Sequence, residues 1–146
     1  MGYTHYFTFN KKEAASKLEA KYQNAIKKID RIVKFAYNKE GISLSGYSAH
    51  AKNYGGINFN GKQDDGLETF YLREHFSQNE AFNFCKTGER PYDVVVVAAL
   101  ITLKHVLGEN VMVESDGSTK DWESGLELAK KALKLKSLTI PKTIGE

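Results

Sequence analysis

An apolar segment in the second half of the chain constrains the fold more than any other feature of the sequence. Val94–Leu103 is almost entirely apolar, and the apolar pattern continues to Leu107, directly before Gly108. The run is too short to cross a bilayer, which takes about 20 residues. Four consecutive valines favour a strand, but the length of the segment, the preceding Pro91 and the dipole-compensating Asp93 favour a helix. The sequence therefore predicts a central buried helix here.

The N-terminal part of the sequence predicts a strand followed by a long amphipathic helix. Tyr3–Phe9 alternates between two faces, and the alternation places His5 on the apolar one. Asn10, with Glu13 three residues later, has the pattern of a capping box, and Gly41 marks the end of the helix. Apolar residues at helical spacing form one buried stripe opposite a lysine-rich, solvated face: Leu18, Tyr22, Ile26, Ile29, Val33 and Ala36.

Several short segments with strand-like composition, bounded by turn residues, predict β structure. They are Ile42–Ser48, Ile57–Phe59, Glu68–Arg73, Phe82–Cys85 and Val111–Glu114. Ala49–Gly56 is predicted to be a loop, and Asn60-Gly61 a tight turn. After a turn at Ser115-Asp116-Gly117, Ser118 is predicted to cap a last helix, whose buried stripe contains Trp122, Leu126, Ala129 and Leu133. Strands this short, joined by turns, favour an antiparallel meander over a parallel sheet.

Together these elements predict one α+β domain over residues 1–146. We expect a mainly antiparallel sheet of about five or six strands, packed with helices that include the central buried one. No internal repeat or linker interrupts the chain, and the tail after residue 137 is left without a secondary-structure assignment.

Composition and charge exclude several classes of protein. The chain is 41% hydrophobic and 27% charged and contains two prolines, a balance that excludes a disordered tail or a low-complexity linker. A single cysteine, Cys85, cannot form an intramolecular disulfide, and no secretory leader is recognisable, so a cytoplasmic location away from membranes is expected. The net charge is only +3, and all but three of the 21 basic residues are lysines. Nucleic acid is therefore not expected as a partner.

Standard catalytic and metal-binding motifs are missing from the sequence. There is no nucleophile elbow, no His-Glu-x-x-His motif, no P-loop and no dinucleotide glycine fingerprint. The four histidines (His5, His50, His75 and His105) are dispersed and lack metal-ligand spacing, and Cys85 has no cysteine partner. The sequence predicts neither a metal site nor a cofactor.

The segment that leads into the central helix has the composition of an anion-binding loop. Lys86, Thr87 and Arg90 offer charged and hydroxyl donors, and the start of the helix adds free backbone N–H groups. Tyr92 adds an aromatic ring with a polar tip, which suits a base or a ribose. The simpler interpretation is that these cations pair with neighbouring carboxylates and that Asp93 merely compensates the helix dipole. Both interpretations remain open from the sequence.

A second group of candidate residues lies outside this loop. Tyr3 offers a ring for stacking, and His5 is either a hydrogen-bonded core histidine or a group that contacts phosphate or acts as a general base. Asn60 can hydrogen-bond a ligand, although a turn explains it equally well. Trp122 is a further candidate for the wall of a pocket, although a place in a capped helix explains it as simply.

Three blocks of sequence appear together in a fairly specific order. They are Gly2-Tyr3-Thr4-His5-Tyr6-Phe7, then Phe84-Cys85-Lys86-Thr87 with Arg90-Pro91-Tyr92-Asp93, and finally Ser115-Asp116-Gly117 followed by Trp122. In these blocks the chain resembles a family of small uncharacterised proteins encoded by tailed phages and prophages. The resemblance covers most of the chain and brings no established catalytic residues. It implies a host-cell cytoplasmic setting and an accessory role, such as countering host defence by sequestering nucleotide second messengers.

We therefore expect a non-catalytic binding protein for a small, anionic, nucleotide-like molecule. Its phosphate would be held by Lys86, Thr87 and Arg90, its base would stack on Tyr92, Tyr3 or Trp122, and its polar groups would be oriented by His5 and Asn60.

Two alternatives remain open. The first is a phosphodiesterase or nucleotide hydrolase, with His5 as acid or base and Lys86 or Arg90 stabilising charge. The second is a protein–protein inhibitor of a host factor that acts through an aromatic surface. A homodimer is expected because symmetric dimers are the commonest assemblies.

Overall fold

The computed structural model describes residues 2–46 and 55–146. In this part of the chain the helices are α1 (Ala15–Lys39), α2 (Asp93–Leu107) and α3 (Thr119–Leu133). The strands are β1 (Thr4–Phe9), β2 (Leu44–Ser45), β3 (Ile57–Gly61), β4 (Phe70–Leu72), β5 (Phe82–Lys86) and β6 (Val111–Ser115). Single 3₁₀ turns lie at Gln63–Asp65, Phe76–Gln78 and Gly108–Asn110. The α+β class predicted from the sequence is confirmed.

The strands form two small antiparallel sheets rather than one larger meander. In the first sheet β1 lies between β5 and β6, and His5 is paired with both Cys85 and Ser115. In the second sheet β3 lies between β2 and β4, with Phe59 opposite Phe70. The prediction of one sheet of five or six strands is therefore wrong. Its error is one of pairing, since β1 takes both of its neighbours from the second half of the chain.

The predicted central helix is confirmed as α2. Ten of its fifteen residues are buried, because α1 and α3 pack against it. The helix begins at Asp93, so Pro91 lies just before the N-cap residue Tyr92 instead of in the first turn. Across the described residues, no helix combines the length and the apolarity that a membrane span requires.

The start of α1 differs from the predicted capping box. The helix begins at Ala15 after Ala14, whose side chain makes no capping hydrogen bond. Asn10 instead continues the pairing of β1, with its N–H donating to the carbonyl oxygen of Asn110 at 2.8 Å. The Glu13 carboxylate accepts from Lys21 and from the Asn110 amide, so it ties α1 to the end of α2. The predicted apolar stripe of α1 is buried along its whole length.

Two further local predictions need correction. Asn60 and Gly61 form the end of β3 and not a tight turn, and the connection to β4 begins with the 3₁₀ turn that follows. Of the strand predicted at Ile42–Ser48, only Leu44–Ser45 is a strand among the described residues. Its last two positions, and most of the predicted loop that follows, lie outside the described residues.

The C-terminal part of the structure agrees with the prediction for the last helix and also places the tail. Ser118 caps α3, as predicted, and it does so through a reciprocal pair of hydrogen bonds with Asp121. The tail has no helix or strand, but it packs on the domain: Leu138 and Ile144 are buried. The hydroxyl of Thr143 donates to the carbonyl oxygen of Val113 on β6.

Candidate functional site

A hydrogen-bonded network centred on His5 joins the first sheet to the start of α2. The alternation of β1 turns His5 inward, where its side chain is fully buried. Its Nε2 lies 2.6 Å from Oδ1 of Asp93, and its Nδ1 lies 2.7 Å from Oγ of Ser115. Thr87, also fully buried, donates its hydroxyl to the same Asp93 oxygen at 2.5 Å. The network thus ties β1, β6 and the loop after β5 to the first residue of α2.

The surroundings of Ser115 fix the direction of these hydrogen bonds. Its Oγ accepts the backbone N–H of Gly117 at 2.9 Å and the indole N–H of Trp122 at 3.2 Å. The serine proton is then directed to Nδ1 of His5, which places the imidazole proton on Nε2, facing Asp93. Serine, histidine and aspartate follow the order of a hydrolase triad. Here, however, the serine oxygen already has two donors and the imidazole has no exposed surface.

Two aromatic residues predicted to stack on a ligand belong to the core. Tyr92 is fully buried, and its hydroxyl donates to the carbonyl oxygen of Glu68, with that of Lys86 at 3.4 Å. Burial raises the pKa of this phenol well above its usual value. Trp122 is also fully buried, edge-on to His5 with 5.4 Å between ring centroids. In this conformation neither ring offers a face to a ligand, so the two predicted stacking roles are not supported.

An open cleft of about 310 Å³ lies beside the N-terminus of α2. Tyr3 forms one wall, and its hydroxyl packs so closely on Gly117 that a Cβ there would lie 2.1 Å from it. We call this feature the Tyr3 cleft; the residues that matter for its chemistry are Tyr3, Glu89, Arg90, Asp93, Asp121 and Ser124. Tyr3 and Arg90, which the sequence placed in separate candidate groups, thus line one cleft.

The charge of the Tyr3 cleft differs from that of the predicted anion site. One cation, Arg90, lies among three carboxylates, those of Glu89, Asp93 and Asp121. Tyr3 reports this surplus of negative charge: burial raises the pKa of its phenol most, and the three carboxylates raise it further. The N–H groups of Asp93 and Val95 also already donate to carbonyl oxygens of the preceding turn. A ligand with anionic groups alone would meet repulsion over much of this surface.

Apart from Arg90, the remaining predicted residues lie outside the lining of the cleft. Lys86 is exposed on β5, with its backbone N–H held by the Glu68 carboxylate at 2.7 Å. Arg90 is exposed, and its guanidinium donates to the carbonyl oxygen of Asp64. Asn60 uses its amide locally: its oxygen accepts from Leu67 N–H at 3.0 Å and its nitrogen donates to the Leu67 carbonyl at 2.9 Å. These local hydrogen bonds account for Asn60 without a ligand.

Sequence reasoning missed three polar residues of this region. Ser115 was assigned only to a turn, Asp121 was given no role, and Asp93 was assigned only to compensating a helix dipole. Asp93 lies 88 positions from His5 in the sequence, so no local spacing indicates their contact. The one available signal was the inward position of His5, because a buried imidazole requires partners on both ring nitrogens. Among the described residues, no cluster of histidine, cysteine, aspartate or glutamate is arranged to hold a metal ion.

Comparison with known proteins adds no relative to this picture. The chain matches no protein-family model, and no curated protein or solved structure gives a significant match.

Proposed function

We propose that the protein binds a small nucleotide-like molecule in the Tyr3 cleft and releases it unchanged. The observation that carries this proposal is the meeting of Tyr3 and Arg90 in one cleft at the start of α2. Tyr3 supplies an aromatic wall and Arg90 a guanidinium, the two kinds of group that bind the base and the phosphate of a nucleotide.

The charge of the cleft narrows the chemistry of the ligand. Within the described residues, both hydrogen bonds to Asp93 use Oδ1, which leaves Oδ2 for a ligand. Asp121 uses Oδ2 for its helix cap and likewise keeps Oδ1. Carboxylate oxygens accept from the amino groups of nucleobases. The best fit is a ligand with donors on one side, facing these oxygens, and a single anionic group on the other, facing Arg90.

Binding is favoured over hydrolysis because the candidate acid–base residue is inaccessible. His5 is fully buried and both of its ring nitrogens are bonded to protein side chains. A general base must come within hydrogen-bonding reach of the proton that it removes. Sequestration of a signalling nucleotide in the cytoplasm of a phage-infected cell is the role that we propose for such a non-catalytic site, as the family resemblance implies.

The proposal is tested with protein purified from cells and with defined nucleotides. Native mass spectrometry of the purified protein reports the mass of any ligand that it carries. Calorimetric titration then uses adenosine and guanosine monophosphates and the corresponding cyclic mononucleotides, each with one phosphate group, as probes. We expect saturable binding at one site for each chain, with the nucleotide recovered intact after denaturation. Turnover of a probe, or no binding of any of them by a ligand-free sample, would contradict the proposal.

Arg90→Ala provides the residue-level test. Loss of a charge-assisted contact costs about 1.5–3 kcal/mol, so affinity should fall by roughly one to two orders of magnitude. Arg90→Lys should restore part of the loss, because a bidentate fork becomes a point charge. Arg31→Ala removes an exposed arginine from α1 and is the matched control. Equal affinities of the Arg90 and Arg31 variants would remove Arg90 from the site.

A further inference from the structure

The outer face of the first sheet is an exposed aromatic surface. Phe82 and Phe84 on β5 are 56% and 58% exposed, and Met112 on β6 is 42% exposed. The Tyr6 ring on β1 stacks on Phe82 with 6.2 Å between centroids, and Phe84 follows at 6.1 Å from Phe82. We call these four side chains the aromatic face. Clustered exposed apolar side chains of this kind mark interaction surfaces in soluble proteins.

The opposite side of the first sheet is buried. Phe7, Cys85 and Val113 point inward from the three strands and are fully enclosed. Tyr3 and His5 belong to the inward set, so the Tyr3 cleft and the aromatic face lie on opposite sides of β1. An interaction through the aromatic face would therefore leave the cleft open, and it is independent of the proposed ligand binding.

Strand register arranges the outer face in three rows that cross β5, β1 and β6 in that order. The rows are Lys86–Thr4–Asp116, Phe84–Tyr6–Glu114 and Phe82–Thr8–Met112. In the first row the cationic Lys86 lies at one edge and the anionic Asp116 at the other. In the third row an apolar side chain lies at each edge. The face is thus complementary to itself when one edge meets the opposite edge.

We propose that the aromatic face binds a second copy of this chain in a symmetric, face-to-face dimer. A twofold axis parallel to the strands keeps the rows level and sets β5 of each copy over β6 of the other. Lys86 then meets the partner's Asp116, and Phe82 meets the partner's Met112. Tyr6 lies near the axis and packs against its own counterpart, while Phe84 rests on the aliphatic part of the partner's Glu114.

The charges favour this occupant over a nucleic acid. Stacked aromatic rings suit unpaired bases, but Glu114 and Asp116 outnumber Lys86 on this face and would repel phosphates. The Asp116 carboxylate is also held in place, since it accepts from the Thr4 N–H at 3.0 Å and from the Tyr6 hydroxyl at 3.4 Å. A second copy neutralises both charged corners at once, because each corner opposes its complement.

Sedimentation velocity over a range of about 1–200 µM tests the dimer. A face only three strands wide is at the small end of stable interfaces, so we expect reversible dimerisation with a roughly micromolar dissociation constant. Phe82→Glu should leave the thermal melting of the monomer unchanged, since the ring is exposed, and should weaken dimerisation at least tenfold. A wild-type monomer over the whole range would overturn the proposal and leave the face to a different partner. A dimer that is insensitive to Phe82→Glu would overturn it too.

Mixing two charge-reversed variants tests the arrangement itself. Lys86→Glu alone and Asp116→Lys alone each create two repulsive corners in their homodimers and should dimerise at least tenfold more weakly. An equimolar mixture restores both attractive corners, so a heterodimer as stable as the wild-type dimer is expected. Lys120→Glu, an exposed reversal on α3, is the control and should not alter dimerisation. Failure of the mixture to recover association would overturn the strand-parallel arrangement.

Discussion

Nε2 of His5 lies 2.6 Å from Oδ1 of Asp93, and this contact links the central strand of the first sheet to the first turn of the buried helix. The buried part of the network is complete: across the described residues, no buried side-chain nitrogen or oxygen atom lacks a hydrogen-bond partner. A buried polar network of this kind stabilises a fold only while it is complete.

Removal of the imidazole should therefore cost far more than the loss of one hydrogen bond. His5→Ala leaves Asp93 without one of its two donors and Ser115 without its acceptor, and it opens a cavity beside Trp122. We expect a loss of about 2–4 kcal/mol in the free energy of unfolding, measured by urea denaturation. Thr8→Ala, on the outer face of the same strand, is the control and should cost less than about 1 kcal/mol. Comparable losses in the two variants would show that the network contributes little.

A glycine sets the distance between helices α2 and α3. Gly125 of α3 is buried against α2, and a Cβ at this position would lie 2.3 Å from Cγ1 of Val97. Alanine normally stabilises a helix relative to glycine by about 1 kcal/mol. Here the overlap with Val97 should reverse that sign.

Gly125→Ala is therefore expected to lower the free energy of unfolding by about 1–3 kcal/mol. Val97→Ala removes Cγ1 but keeps Cβ, which would still lie 2.7 Å from the added carbon, so Gly125→Ala should cost less in the Val97→Ala background than in the wild type but should remain destabilising. Chemical denaturation of the four proteins of this cycle measures the coupling. A stabilising effect of Gly125→Ala in the wild-type background would show that the helices do not pack this closely.

The helices were predictable because their signals are local. α2 is apolar on every side and α1 has one apolar stripe, and each pattern is readable within the segment that forms the helix. Strand pairing is not local. β1 pairs with β5 and β6, and no residue of Thr4–Phe9 indicates which distant strand will lie beside it.

The candidate site shows the same division between local and distant information. The inward position of His5 follows from alternation, but its contact with Asp93 depends on the packing of the whole domain. The sequence suggested ligand-stacking roles for Tyr92 and Trp122 because an aromatic ring with a polar tip suits a ligand site and a core equally well. Their tips are satisfied inside by a carbonyl oxygen and by Ser115. The two-residue spacing of Phe82 and Phe84, which places both rings on one face of β5, could be read from the sequence. The exposure of that face could not.

The single cysteine is expected to be unreactive in the folded protein. Cys85 is 1% exposed, and burial, with the nearby charge of Glu68, raises the pKa of its thiol to about 12. At pH 8 this lowers the thiolate fraction by about three orders of magnitude relative to an ordinary thiol. Labelling with a disulfide reagent should be slow in native protein and fast in 6 M guanidinium. It should also be faster in Gly125→Ala, where unfolding is more frequent. Rapid labelling of the native wild type would contradict the buried position.

Acid should weaken the protein partly through Glu13. The hydrogen bond from Lys21, together with those from Asn110 and Lys17, lowers the pKa of this carboxyl from 4.5 to about 2. In the unfolded chain the group takes up its proton near pH 4.5, whereas the folded chain resists it until about pH 2. The stabilisation is therefore complete above pH 5 and is lost as the pH falls toward 2.

Glu13→Gln should remove this part of the pH dependence. The free energies of unfolding of the wild type and the variant should differ most near neutral pH and converge by about pH 2, as measured by urea denaturation at successive pH values. Lys21→Met, which removes the nearest cation, should flatten the wild-type curve in the same direction, and the double variant should add little to either single change. Parallel curves for the wild type and Glu13→Gln from pH 5 to pH 2 would show that the carboxyl titrates alike in the folded and unfolded chains, and the hydrogen bonds from Lys21 and Asn110 to Glu13 would then contribute nothing to the pH dependence of stability.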